Sequence, residues 1–150
     1  MNLKPINQIQ LHGFNSALKE LINLYESKQF PSKILLSGQK GIGKCTLAYH
    51  LINYILSSGE DNPYNILKNQ INEDNKSFIL VRGETNPNLI LIDVKQDKKS
   101  IEINQIRDLI NLMSKSSFNN KPRFILIDNI EYLNLNSINA LLKFLEEPNN

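Results

Sequence analysis

A glycine-rich segment that ends in a lysine is the part of this sequence whose residue types and spacing could do chemistry. Its glycines and lysine have the G-x-x-x-x-G-K spacing of a phosphate-binding loop. Such a loop turns backbone N–H groups inward around phosphates, in conformations that a Cβ would obstruct. The N-terminus of a following helix and the ammonium group of the lysine add positive charge. We therefore predict a nucleotide-phosphate site at nine residues: Gly38, Gln39, Lys40, Gly41, Ile42, Gly43, Lys44, Cys45 and Thr46.

The residue after the lysine departs from this pattern. Ser or Thr normally stands there and binds Mg²⁺ through its hydroxyl group, whereas this chain has Cys45. Magnesium prefers oxygen ligands, so a thiol is a poor substitute. Thr46 cannot simply replace it, because one residue turns the side chain by about 100° around a helix, although Thr46 could still bond an α-phosphate. The expected ligands are therefore ATP or ADP, with Mg²⁺ uncertain.

The elements around the loop predict how it is held. Helical spacing covers 14–28, with Asn15 or Ser16 as its cap, 44–57, 103–116, and a last helix that Asn136 caps and Pro148 ends. Short apolar runs at 33–37, 89–93 and 123–128 predict buried strands, and loops around a short helix are expected near 63–71. Strand alternates with helix, which predicts an α/β fold with a parallel sheet. A strand before the loop and a helix after it favour a phosphate-binding loop over a chance glycine-rich turn.

Four segments in order make a family resemblance specific. They are 36–44, 86–89, 103–107 and 139–148, the last of which reads Asn-Ala-Leu-Leu-Lys-Phe-Leu-Glu-Glu-Pro. Together they resemble the N-terminal domain of the delta-prime and gamma/tau subunits of the bacterial DNA polymerase III clamp loader. This resemblance covers nearly the whole chain and implies an AAA+ P-loop fold of three αβα layers. Residues 1–150 would then be a partial nucleotide-binding core, incomplete at the C-terminal end and without later strands, sensor and collar regions.

Two apolar runs end in an aspartate, at Asp93 and at Asp128. Hydrolysis of a nucleotide needs one such aspartate beside the loop to hold the magnesium-bound water. Asp128 is the better candidate, because 139–148 follows it at the spacing that this family shows, and Asp93 is interpreted as an ordinary strand-end residue. AAA+ motors usually place a glutamate directly after the aspartate, where this chain has Asn129. An amide is not a base, and Glu131 lies two residues further, beyond the strand.

The departures favour one branch of the family. Gamma/tau subunits normally carry a Thr after the lysine, an Asp-Glu pair at the acidic strand and a cysteine-ligated zinc module. This chain lacks all three, and with Cys45 as its single cysteine it can form no four-cysteine zinc site of its own. The resemblance thus implies a delta-prime type subunit that helps to assemble the sliding clamp on primer-template DNA, beside the delta and gamma/tau subunits. No Ser-Arg-Cys motif occurs before Asn150, so no arginine finger is assigned. No catalytic residue is assigned either.

Three other functions remain open at this point. An active gamma/tau-type ATPase is disfavoured by Cys45 and Asn129. A P-loop small-molecule kinase is disfavoured because nothing resembles an acceptor-binding lid and segment 139–148 would be unexplained. A folded interaction module that binds no nucleotide is the third alternative. Nucleotide titration and a turnover assay would separate these functions.

The length, net charge and distribution of apolar residues exclude few further classes of protein. The chain has 150 residues and a net charge of +2, too mild to indicate a surface that coats DNA. No apolar stretch approaches the roughly 20 residues that span a bilayer, and the N-terminus lacks the apolar core of a secretory signal. We expect a cytoplasmic protein with no membrane partner. If the domain is incomplete, the strands at 33–37 and 123–127 lack a shared neighbour, and their unpaired apolar edges should bind a hydrophobic dye.

Overall fold

The computed structural model describes residues 4–117 and 119–147. The chain divides at Asn86 and Pro87 into two compact units. The first unit holds a 3-10 helix (Pro5–Asn7) and three α-helices: α1 (Asn15–Glu26), α2 (Lys44–Leu56) and α3 (Lys76–Arg82). The second unit holds β1 (Leu89–Ile92), α4 (Ile103–Met113), β2 (Phe124–Ile127), a 3-10 helix (Ile130–Tyr132) and α5 (Leu135–Glu146). The predicted α/β class is confirmed by the alternation of strands and helices in the second unit.

Helix α2 is the centre of the first unit. Leu47, Leu51 and Ile55 lie on its buried face at helical spacing. Helix α1 turns Leu18 and Ile22 inward, and Phe78 and Val81 of α3 are also buried. The helices predicted over 14–28 and 44–57 are confirmed. Burying each of these aliphatic or aromatic side chains contributes roughly 1.5–3 kcal/mol to the hydrophobic stabilisation that fixes α2 in place.

The predicted strand at 33–37 is wrong in this structure. These residues form neither strand nor helix, and within the described chain no backbone hydrogen bond joins them to another segment. The side chains of Ile34 and Leu35 are 41% and 75% exposed. A strand is defined by the neighbour that pairs with it, so an apolar run alone does not form one.

Two further expectations in the first unit are corrected by hydrogen bonds. Residue 14, and neither Asn15 nor Ser16, occupies the cap of α1, because the Asn15 side chain accepts a bond from the Asn69 amide at 2.9 Å. The helix expected near 63–71 is a tight turn in which Asn65 and Gln70 exchange backbone bonds of 2.8 and 3.0 Å. Asn69 has φ +47°, which is a left-handed conformation that a helix does not continue through.

The second unit is built on a parallel pair of strands. Residues 89–92 of β1 pair in register with residues 124–127 of β2, which confirms the two predicted strands and their parallel direction. Helix α4 lies between them in sequence, as a parallel crossover requires. Helices α4 and α5 contribute Ile106, Leu109 and Leu141 to a core shared with Ile92 and Ile101.

The start of the last helix differs from the prediction. Helix α5 begins at Leu135, and its cap is Asn134, whose side chain accepts the N–H of Ser137 at 2.8 Å. Asn136 therefore lies inside the helix, although the sequence interpretation placed it at the cap. Pro148, which was expected to end the helix, lies outside the described residues.

Candidate nucleotide-binding site

The predicted phosphate loop leads directly into α2 in the first unit. Gly41 and Gly43 have φ of +80° and +100°, values that L side chains rarely adopt. Gly43 is the cap of α2, and its carbonyl accepts the first helical bond from Leu47 at 3.0 Å. The predicted glycine requirement is therefore met by the backbone conformation at both positions.

Lys44 is the first residue of α2 and folds back over the loop. Its Nζ donates hydrogen bonds of 2.8 Å to the carbonyl oxygens of Gly38 and Gln39. These bonds place the ammonium group across the span of the loop, between its first residues and the start of the helix. Residues 38–42 are exposed, so an anion could approach the loop from solvent. The geometry thus brings the positive charge of Lys44 to the segment that the sequence predicts as the phosphate site.

The start of α2 fits a phosphate group. The first N–H groups of any helix lack partners within it, and the helix dipole makes this end positive. Gly43, at the cap of α2, has no side chain that could bond to these N–H groups, and no acidic residue stands in the first turn of α2. Phosphate oxygens are acceptors of the kind that such N–H groups bind. The backbone, the glycines and Lys44 are therefore suited to the phosphates of a nucleotide.

A magnesium ion fits this loop less well. Cys45 and Thr46 are both half-buried in the first turn of α2. The position that normally supplies a hydroxyl ligand carries a thiol, which a hard cation binds weakly. Among the described residues, no group of three or more His, Cys, Asp and Glu side chains is arranged to hold a metal ion.

Helix α2 is anchored by a buried histidine. His50 has no exposed surface, and its Nε2 lies 2.9 Å from the carbonyl oxygen of Gln8 while its Nδ1 lies 2.8 Å from the Tyr64 hydroxyl. A carbonyl only accepts, so Nε2 carries the proton and Nδ1 accepts from Tyr64. Burial lowers the pKa of His50 from 6.5 to about 4, although the bond to Gln8 opposes this change. Burial also raises the pKa of Tyr64.

Asp128 lies in the second unit, at the carboxyl end of β2. Its N–H donates to the carbonyl of Ile92 at 2.9 Å, one step beyond the last paired residues of the two strands. Asn129 follows with φ +53° and donates its backbone N–H to Oδ1 of Asp128 at 2.9 Å. Glu131 lies beyond the strand in the 3-10 helix, as expected.

The structure shows a role for Asp93 that the sequence interpretation missed. The side-chain amide of Asn129 donates to Oδ1 of Asp93 at 2.8 Å, and Gln105 of α4 donates to the Asp93 carbonyl at 2.8 Å. Both strands read as four apolar residues followed by Asp. Because the carboxyl ends of paired parallel strands lie side by side, this repeated pattern was the signal that could have predicted the contact. Asn129 thus binds both acidic strand ends.

No helix in the described ranges 4–117 and 119–147 is long and apolar enough to cross a bilayer.

Comparison with known proteins shows the family to which this chain belongs. Residues 13–150 match the family described as "DNA polymerase III, delta subunit". The chain belongs to this family. The match covers the loop, α2 and the whole second unit, so it includes every candidate site residue.

Curated relatives of this family carry two kinds of name. The chain is 31% identical over 114 residues to the DNA polymerase III subunit delta' of Pseudomonas aeruginosa, covering 76% of the chain and 33% of that protein. It is 30% identical over 147 residues to the delta' subunit of Bacillus subtilis, covering 97% of the chain and 40% of that protein. It is 28% identical over 144 residues to the gamma/tau subunit of Mycoplasma genitalium, covering 96% of the chain and 23% of that protein. The resemblance to the delta-prime type is confirmed, and the chain spans between about a quarter and two-fifths of these relatives' lengths.

Proposed function

We propose that this chain is the nucleotide-binding part of a delta-prime type clamp-loader subunit that acts in DNA replication. It binds ATP or ADP and hydrolyses ATP little or not at all. The observation that carries the proposal is the loop itself. Two glycines with positive φ lead into a helix N-terminus free of acidic residues, and Lys44 lies across the loop.

Each part of the loop has one task in phosphate binding. The backbone N–H groups at the start of α2 orient the phosphate oxygens, and the helix dipole adds electrostatic attraction. The ammonium group of Lys44 exchanges one or both of its carbonyl contacts for phosphate oxygens, which are charged and therefore stronger acceptors. These tasks need no acid, base or metal, so phosphate binding does not require the groups that this chain lacks.

Hydrolysis needs groups that this chain replaces. A motor glutamate would accept a proton from water, whereas the amide of Asn129 cannot, and its N–H₂ donates to Asp93. Cys45 offers sulfur where Mg²⁺ prefers oxygen. A nucleotide would supply the phosphates and a bound magnesium ion would stabilise their charge, but the chain's own residues only bind and orient. The proposed role is therefore structural, within an assembly of subunits.

The proposed partners follow from the family. The relatives are named as subunits of DNA polymerase III, which supports delta and gamma/tau subunits as direct partners. The sliding clamp and primer-template DNA would be met indirectly, through that assembly. The proposed location is the cytoplasm, where replication proteins of this kind act.

The second candidate is an active ATPase of the gamma/tau type. It is favoured by the 28% identity to a gamma/tau subunit over 96% of the chain, and it is disfavoured by Cys45 and Asn129. A turnover assay with ATP and Mg²⁺ separates the two candidates. The proposal expects no phosphate release above a Lys44→Ala control, and release at the rate of a typical motor would support the second candidate instead.

Calorimetric titration with ADP, with and without Mg²⁺, tests binding itself. The proposal expects saturable binding that changes little when Mg²⁺ is removed, because the magnesium ligand is impaired. If neither ADP nor ATP binds, the chain is an interaction module without a nucleotide, and the first proposal fails. Co-purification with delta and gamma/tau subunits tests the assembly separately.

A further inference from the structure

An aromatic side chain lies against the last glycine of the phosphate loop. A Cβ built on Gly43 would lie 3.3 Å from Cε2 and 4.0 Å from Cδ2 of Phe14. The shorter distance is tighter than ordinary van der Waals contact, so the missing side chain is what leaves room for the ring. A Cβ on Gly41 would meet no atom of the described residues within 4 Å. The two glycines therefore share a left-handed backbone but differ in their surroundings.

The segment that carries Phe14 is held on both sides. Before it, the N–H of Leu11 donates to the carbonyl of Asn69 at 3.1 Å. After it, the side-chain amide of Asn69 donates to Oδ1 of Asn15 at 2.9 Å, and the Phe14 carbonyl accepts the first helical bond of α1 from Leu18 at 2.9 Å. These bonds hold the backbone from which the half-buried Phe14 ring projects towards Gly43.

We propose that Phe14 is a positioning residue of the phosphate loop, where its ring fixes the backbone of Gly43 and so aims the first N–H groups of α2. Glycine has wide conformational freedom, and an unsupported glycine at this point would let the turn sample other conformations. Packing against the ring selects one of them before a ligand arrives, which reduces the entropy lost on binding. The inference rests on the proposed nucleotide site, and it adds a residue that lies outside the loop.

A double-mutant cycle tests the contact without any ligand. Gly43→Ala and Gly41→Ala both introduce a Cβ at positive φ, but only the first introduces a clash with Phe14. In thermal melts, Gly43→Ala should lower Tm more in the native background than in the Phe14→Ala background, whereas Gly41→Ala should lower Tm equally in both. If the Gly43→Ala effect is the same in both backgrounds, the contact is not made and the inference is overturned.

Titration with inorganic pyrophosphate and with ADP tests the function of the contact. Phe14→Ala should weaken both affinities by about tenfold and by the same factor, because the ring acts on the loop and not on the base. Phe14→Tyr, which keeps the ring, should bind like the native chain. Phe30→Ala is the matched control, since that half-buried ring lies beyond the other end of α1 and packs edge-on against Tyr25 at 5.8 Å. It should leave both affinities unchanged.

The outcomes are distinct. Native binding with an unaffected Phe14→Ala variant would overturn the inference alone. A loss for ADP without a loss for pyrophosphate would show that the ring contacts the base, and this result would also overturn the positioning role. If the native chain binds neither compound, the proposed nucleotide site and this inference fail together.

Discussion

Acid should destabilise this chain through the single buried histidine of α2. His50 is fully buried, and its pKa falls from 6.5 to about 4 in the folded chain because burial disfavours the charged ring. The unfolded chain therefore binds a proton that the folded chain excludes. Stability is fully present above about pH 6.5 and is lost as the pH falls toward 4. The expected loss is about 2 kcal/mol at pH 5, and about 3 kcal/mol once both states are protonated.

Urea unfolding at pH 7.5, 6.5, 5.5 and 5.0, followed by far-UV circular dichroism, measures this loss. The chain has two histidines, so His12→Gln is the matched control for His50→Gln. His12 is exposed, and its charge has the smallest of the effects on the pKa of His50. The His12→Gln control should therefore lose nearly as much stability in acid as the native chain. His50→Gln should be less stable at pH 7.5 and should show a flatter pH dependence. An equal pH dependence in the native chain and in His50→Gln would refute this reasoning.

Three further substitutions follow from the same structure. Asn129→Glu should destabilise the chain by about 1–2 kcal/mol, because it places a second carboxylate beside Asp93 and puts a glutamate in a left-handed backbone conformation that it tolerates poorly. The loss should be smaller when unfolding is measured in 1 M salt, and an unchanged stability would contradict the prediction. Asn75→Ala should lower the free energy of unfolding by about 3 kcal/mol, because the Asn75 side-chain oxygen caps α3 and the buried amide of Asn53 loses its acceptor. Asn134→Ala, which removes only a helix cap, should lower it by about 1 kcal/mol. Cys45→Thr should strengthen ADP binding in the presence of Mg²⁺ but produce no ATP turnover, and calorimetry with a phosphate-release assay would reveal the opposite result.

Local patterns predicted the second unit well. Both apolar runs that end in aspartate became strands, and they pair in parallel because the helix between them in sequence returns the chain to the same edge. The nine loop residues were selected because their spacing matches that of a phosphate-binding loop, and phosphate binding by them stays a prediction. The glycines at 41 and 43 do adopt the backbone conformations that this chemistry needs.

The features that the sequence could not predict depend on contacts between residues that are distant in the chain. Residues 33–37 contain three consecutive apolar residues, against four in each of the two strands, and an apolar run does not by itself supply the neighbouring strand that would pair with it. Asn15 has a good capping side chain, yet it bonds to Asn69 instead. The contact between Asn129 and Asp93 joins residues 36 positions apart, and Phe14 meets Gly43 across 29 positions. Such pairs follow from the packing and not from local spacing.

Lys44 is proposed to bind the nucleotide phosphates on the loop. Titration of ADP into the native chain, Lys44→Ala and Lys19→Ala tests it most directly, because Lys19 is an exposed lysine of α1 whose loss removes the same charge away from the loop. The native chain and Lys19→Ala should bind ADP alike, and Lys44→Ala should bind it about 10- to 100-fold more weakly, which corresponds to one lost charge-assisted hydrogen bond. Equal affinities for Lys44→Ala and the native chain, or no binding by either, would contradict this proposal.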